Sequence, residues 1–183
     1  MKKKTPTVLG LDISTSITGV TVYSSHNIIE TLFLDTRNKK KFPTLYEKAN
    51  FIRRKFIDLE EKYKIDHIFI EQSLQSFRSG FSSAKTLSTL SRFNGMVSLL
   101  CFQMFNIKPE MIAASTARKQ AGVGIQRGDN AKEKVLQFII DKYPDIEIQY
   151  TKHGNPKPGT LDMCDSIIIA LAGDKLVREA QTT

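Results

Sequence analysis

The chain contains no apolar run of the roughly 20 residues that a membrane-spanning helix requires; its longest, Val97 to Phe105, is broken by Ser98 and Gln103. The basic start, Met1-Lys2-Lys3-Lys4-Thr5-Pro6, is followed by a short strand-like stretch carrying Asp12, a poor core for a secretory signal. Cysteine is scarce: Cys101 and Cys164 stand far apart in apolar, helix-like surroundings, which points to buried reduced thiols rather than a disulfide. The three histidines, His26, His67 and His153, are scattered without ligand spacing, which argues against zinc. Internal repeats, linkers and low-complexity tracts are missing too. These absences favour one domain over residues 1–183, free of the membrane and not secreted, in the cytoplasm or in a viral or organellar setting.

Charge and apolar content are what the chain does have. Its 183 residues are 40% hydrophobic and 25% charged, a globular balance, with a net charge of +8. Such an excess attracts polyanions through long-range electrostatics and counterion release, a meaningful signal only if the acidic residues gather at one place.

The periodicity predicts elements on which those acids can be placed. Thr7 to Asp12 reads as a buried strand ending in a carboxylate, and Thr18 to Tyr23 and Ile28 to Leu34 read as two more, with Ser24 to Asn27 turning between them. The basic loop Arg37 to Lys41 follows. Leu45, Ala49, Ile52, Phe56 and Leu59 then recur at helical steps. His67 to Ile70 is a short strand ending at Glu71, and Gln72 to Ser83 reads as a loop holding Phe77 and Phe81. Ser83 to Phe105 reads as a long helix with apolar residues on more than one side, either central or a contact between copies. Met111 to Ala114 is a fifth strand, and Ser115-Thr116 is the expected cap of the next helix. A helix over Ala131 to Tyr143, a polar and basic loop from Ile146 to Gly159, and a helix over Leu161 to Val177 complete the chain. The expected fold class is α/β, a mixed five-stranded sheet with helices on both faces.

Four carboxylates stand out in this frame. Asp12 and Glu71 each end a strand; Asp162 and Asp165, three apart near the start of the last helix, share a face. If the two strands are parallel neighbours, Asp12 and Glu71 meet at one sheet edge, and the last helix can bring its pair opposite. Crowded carboxylates repel and their pKa values rise, a penalty that a divalent cation removes. Two such ions about 4 Å apart can activate a water and stabilise the leaving oxygen of a phosphodiester. Each residue also has a plainer reading: Asp12 a turn residue, Glu71 a solvated strand end, Asp162 a helix-start acid favoured by the dipole. Asp165, flanked by Met163, Cys164 and the run Ile167 to Leu171, needs a partner or a metal.

The segment Leu9-Gly10-Leu11-Asp12-Ile13-Ser14-Thr15-Ser16-Ile17-Thr18-Gly19 resembles the opening of the RuvC-type Holliday junction resolvases, a group within the RNase H-like superfamily. Ile70-Glu71-Gln72 resembles their second catalytic strand. Asp162-Met163-Cys164-Asp165-Ser166, running into Ile-Ile-Ile-Ala-Leu-Ala, resembles their last helix. Ala117 to Ile125 and Ala131 to Val135 resemble the basic segment before the penultimate helix. The resemblance spans about Thr7 to Gly173. It departs at Ser73 to Phe81 and in the long basic loop Thr151 to Gly159, as a divergent viral, phage or organellar relative would.

The resemblance implies a homodimeric endonuclease that resolves four-way DNA junctions. Asp12, Glu71, Asp162 and Asp165 would hold two magnesium ions, with manganese an alternative, and Lys119 would offset developing charge. It also implies DNA contacts at Lys119 and Lys132, with Lys134 competing for the latter's place, and an aromatic wedge at Phe77 or Phe81. Arg78, Arg127, Lys152 and Lys157 are further candidate phosphate contacts. Three alternatives stand beside it: a flap or branched-DNA nuclease without junction symmetry, a non-catalytic nucleic-acid-binding module, and an actin-like ATPase or sugar kinase. The last normally needs two domains, more than 183 residues supply.

Overall fold

The computed structural model describes residues 5–72 and 84–182. Three strands, β1 (Thr7–Asp12), β2 (Ile17–Ser24) and β3 (Asn27–Asp35), form an antiparallel meander. The β2–β3 turn is a two-residue connection in which Ser25 (φ 52°) and His26 (φ 64°) are both left-handed, the geometry that matches strand twist in a tight hairpin. Helix α1 (Leu45–Lys62) leads to β4 (His67–Glu71), which pairs parallel with β1; α2 (Ala84–Phe105) leads to β5 (Glu110–Ile112), parallel with β4. Three helices close the chain: α3 (Ala114–Ala121), α4 (Ala131–Lys142) and α5 (Thr160–Ala180). The sheet order is β3-β2-β1-β4-β5, the expected mixed five-stranded sheet.

Strand alternation divides the core in two. Val8 and Phe69 face one way and pack with α3, α4 and α5; Leu9, Leu11, Ile68 and Ile70 face the other and pack with α1 and α2. Cys164 lies in the first layer and Cys101 in the second, both buried and free. Helix α1 buries the predicted stripe at Ala49, Ile52, Phe56 and Leu59, and a Thr44–Glu47 capping box fixes its start. Among the described residues no helix is long and apolar enough to cross a membrane.

Two local expectations need correction. The fifth strand stops at Ile112, and α3 begins at Ala114 with Ala113 at its cap and no side-chain hydrogen bond there. Ser115 and Thr116 therefore lie inside the first turn: the chain leaves β5 one residue after Ile112, so the helix starts before either hydroxyl can cap it.

Helix α5 is buried along fourteen of its residues, because it crosses the middle of the sheet under α3 and α4. Its approach depends on two strand glycines. A Cβ on Gly10 would lie 2.5 Å from the Ala170 amide nitrogen, and one on Gly19 would lie 2.0 Å from the Asp162 carbonyl oxygen. A chain of hydroxyls, from half-buried Thr31 to buried Thr21 to buried Ser166 at 2.8 Å each, ties β3, β2 and α5 together. Ser166 also donates to the Met163 carbonyl at 2.7 Å.

Candidate functional site

Parallel pairing aligns Leu11 with Ile70, so Asp12 and Glu71 leave the sheet side by side at one edge. Both ends are held. After Asp12, the Ser14 hydroxyl accepts from the Ile17 amide at 3.0 Å and donates to the Ile17 carbonyl at 2.7 Å, closing the turn into β2. After β4, the Gln72 amide donates to the Ile112 carbonyl at 2.9 Å, and buried Asn94 of α2 reaches the Glu71 carbonyl at 3.4 Å. Gly19, which pairs with Asp12 in the β1–β2 register, is where the backbone of Asp162 touches the sheet. Thus the first turn of α5 arrives beside Asp12, and Asp165 follows one turn on.

The electrostatics register this crowding. Burial pushes the Asp12 carboxyl well above the ordinary range, and the negative charges of Glu71, Asp165 and Asp162 push it further. Glu71 is raised to about 7, first by burial and then by Asp165. Asp162 and Asp165 are both raised, again chiefly by burial. Lys132, exposed in the first turn of α4, lowers all four. Arg118 of α3 lowers Glu71 and Asp165, and its guanidinium lies 4.0 Å from Asp165. Burial prevails over both cations, so the net effect is that all four carboxyls hold their protons more tightly than free carboxylates do.

Among the described residues no group of three or more acidic, histidine or cysteine side chains is drawn together tightly enough to hold a metal ion as it stands. The donor chemistry still fits a hard divalent cation. The four groups offer only oxygen, and their raised affinity for protons is an affinity for positive charge.

The other candidate residues fall in different places. Lys119 is exposed next to Arg118 in the last turn of α3. Lys134 lies 3.7 Å from Asp129 in an ion pair beside the start of α4. Arg127 is exposed in the connection between α3 and α4. Lys152 and Lys157 are exposed in the segment before α5, where Tyr150 and Pro156 form an isolated antiparallel bridge and the Lys157 amide donates to the Gln149 carbonyl at 2.8 Å. Phe77, Arg78 and Phe81 lie outside the described residues. Sequence reasoning missed Arg118 and Asn94. A positive charge adjoining buried Ala117 in a short amphipathic helix was the available sign for Arg118, whereas a buried asparagine within an apolar helix gave none of its target.

No family model and no curated protein matches the chain. Solved structures do. Thermus thermophilus RuvC in complex with a Holliday junction substrate superposes with a TM-score of 0.67 at 13% identity, covering 95% of this chain and 96% of that one. A second Thermus thermophilus RuvC structure gives 0.65 at 15% identity. The yeast mitochondrial Holliday junction resolvase Ydc2 gives 0.65 at 16% identity, covering 98% of this chain and 82% of that one. At such identities a likeness speaks for architecture: the chain has the RNase H-like fold of the RuvC-type resolvases.

Proposed function

We propose that this chain is a metal-dependent DNA endonuclease that cuts four-way junctions. The observation that carries the reading is the convergence of Asp12, Glu71, Asp162 and Asp165 from two strand ends and one helix, each with its proton affinity raised. The fold it shares with proteins that resolve Holliday junctions agrees with this.

Asp12, Glu71, Asp162 and Asp165 would hold two divalent ions, magnesium or manganese. When bound, such ions neutralise the cluster and provide for activating a water and stabilising the leaving oxygen in phosphodiester hydrolysis. The chain's own residues do the positioning. The Ser14 turn and Asn94 fix the two strand ends, and contact at Gly19 fixes the first turn of α5. Arg118 orients and partly neutralises Asp165. Lys132 supplies a positive field over all four acids, and Lys119 is assigned to the charge that develops on the reacting phosphate. Lys134, Arg127, Lys152 and Lys157, with Phe77, Arg78 and Phe81, remain assigned to DNA.

A homodimer fits the two strands that a junction requires to be cut, because an isologous pair presents two equivalent sites. Helix α2 buries Phe93, Val97 and Cys101 yet exposes Leu99 (55%) and Phe102 (50%), an apolar face suited to a second copy.

The test is cleavage of a labelled synthetic four-way junction with magnesium, comparing the wild type with Asp12→Asn and Asp165→Asn. Paired symmetric nicks, lost in both variants while junction binding persists, are expected. Cutting of flaps without paired junction nicks would move the assignment to a branched-DNA nuclease. No cleavage of junctions, flaps or forks in magnesium or manganese by folded protein would overturn the nuclease reading.

A further inference from the structure

Further basic charge collects beside the carboxylate cluster. Strand β3 ends at Asp35, paired with Ile17, so it reaches the same sheet edge as Asp12. Two inter-strand spacings, roughly 10 Å, separate β3 from β1. The segment that follows contains Lys39, Lys40 and Lys41, all exposed. It is tied to the candidate site from two directions: the Thr36 amide donates to the Ser16 carbonyl at 2.8 Å, and Lys48 of α1 donates to the Thr15 carbonyl. From there α1 runs away from the edge and carries Arg53 and Arg54, also exposed, roughly 13 Å along its axis from Leu45.

Three features separate this surface from an ordinary solvated charge run. First, among the described residues none of these five cations has a carboxylate within ion-pair distance, whereas neighbouring Arg37 is held by Asp35 at 2.6 Å and Lys55 by Asp58 at 3.0 Å. Second, part of the charge is anchored. Lys41 sits 5.3 Å and 5.7 Å from the ring centres of Phe42 and Phe51, and Arg54 sits 5.9 Å from that of Phe51. The rings themselves pack at 5.1 Å. Third, Asn38 organises the lysine segment: its side-chain oxygen accepts from the Lys40 and Lys41 amides at 3.0 Å and 3.1 Å, and its carbonyl from the Phe42 amide at 2.8 Å. Five unpaired cations on a braced surface repel one another, and the partner that relieves them is a polyanion of regular charge spacing.

We infer that this surface holds the sugar-phosphate backbone of a duplex DNA arm leaving the cleavage site. The inference rests on the nuclease reading above and adds where one arm of the substrate runs. A duplex presents one negative charge per about 1.7 Å of axis, so a surface roughly 13–20 Å long spans enough phosphates to occupy all five cations. The contacts go to backbone rather than bases, so they hold the arm without reading its sequence.

The test is equilibrium binding of a four-way DNA junction, a linear DNA duplex and a linear RNA duplex across a salt series without divalent ions. Three variants are compared with the wild type: Lys39→Ala/Lys40→Ala/Lys41→Ala; Arg53→Ala/Arg54→Ala; and Lys64→Ala/Lys108→Ala. The last pair precedes β4 and β5 at the opposite sheet edge and serves as the control. Each lost phosphate contact reduces the slope of log affinity against log salt by about 0.9. The slope is expected to fall by about 2–3 in the triple variant and about 2 in the arginine pair, with affinity down at least about tenfold and the control unchanged. Wild-type slopes in both test variants overturn the inference; if such variants still nick junctions in magnesium, the nuclease reading survives alone. A slope lost on an RNA duplex but not on DNA also overturns it. A wild type that binds no DNA sinks both.

Discussion

Replacing Gly19 with alanine tests how the candidate centre is assembled. The added Cβ would lie 2.0 Å from the Asp162 carbonyl oxygen, 2.6 Å from its carbonyl carbon and 3.0 Å from the Ser166 Cβ. Ordinary van der Waals contact begins near 3.4 Å, so strand and helix must part by 3.4 − 2.0 = 1.4 Å, and the obstacles are mostly backbone. Overpacking of this kind costs about 1–3 kcal/mol. For a chain of this size that corresponds to a fall in Tm of about 2–12 °C. The displaced part is the first turn of α5, which carries Asp162, and a misplacement of about 1 Å at a reacting centre costs on the order of 100-fold in rate. Junction cleavage at a temperature where the variant is fully folded should therefore drop by about two orders of magnitude, with junction binding little changed. Gly95→Ala is the matched control. Nothing among the described residues lies within 4 Å of its added Cβ, and alanine in a helix should raise stability by about 0.5–1 kcal/mol. A Gly19→Ala protein with the wild-type Tm and cleavage rate would refute the claim that backbone contact at this glycine sets the site.

Further expectations follow from the charges and the packing. The folded-state pKa of Glu71 lies above its ordinary 4.5, at about 7, so its contribution to the stability of metal-free protein is present below pH 4.5 and disappears as pH rises through 7. Denaturation across that window should show a loss of order 2–3 kcal/mol that Glu71→Gln removes, and an undiminished loss in the variant would contradict it. Lys132 lowers the proton affinity of all four carboxylates, so Lys132→Ala should move the acidic limb of the cleavage pH profile to higher pH; an unmoved limb would disprove its role. Asp174 is buried and joined to Arg178 at 2.7 Å, with its second oxygen unbonded. Arg178→Ala should destabilise the chain by about 1–3 kcal/mol in thermal melts, and Asp174→Asn with Arg178→Ala should lose less than the single change. Finally, if the proposed homodimer forms through α2, the wild type should sediment as a dimer and Phe102→Glu as a monomer; a monomeric wild type would refute the dimer, and a dimeric variant would refute this interface.

Much of the architecture was legible because its signals are local. Asp12 and Glu71 each close a run of apolar residues, and the stripe from Ala49 to Leu59 repeats at helical steps. The adjacency of the four carboxylates was legible only at one remove, since it depends on β1 and β4 pairing in parallel, a fact about non-local contacts. What the sequence hid was contact made by absence. Gly10 and Gly19 matter because they lack a side chain where α5 crosses, and no pattern of hydropathy announces a helix lying on a strand backbone. The start of α3 was misplaced because capping preferences favour Ser115 and Thr116, while the short β5 dictates where the helix begins. Arg118 escaped notice because a single arginine in a basic segment looks like its neighbours until Asp165 is set against it.

The burial of α5 has a consequence for how far the sequence can vary. What this helix demands of the chain is volume and apolarity along its length, plus smallness at two positions on the strands beneath it. It does not demand particular side chains, and cores accept exchange of one apolar residue for another when total volume is kept. Chains can therefore superpose on this one at TM-scores near 0.65 with only 13–16% of residues identical. Substitution along α5 should accordingly be tolerated wherever volume and apolarity are kept, and resisted at Gly10 and Gly19.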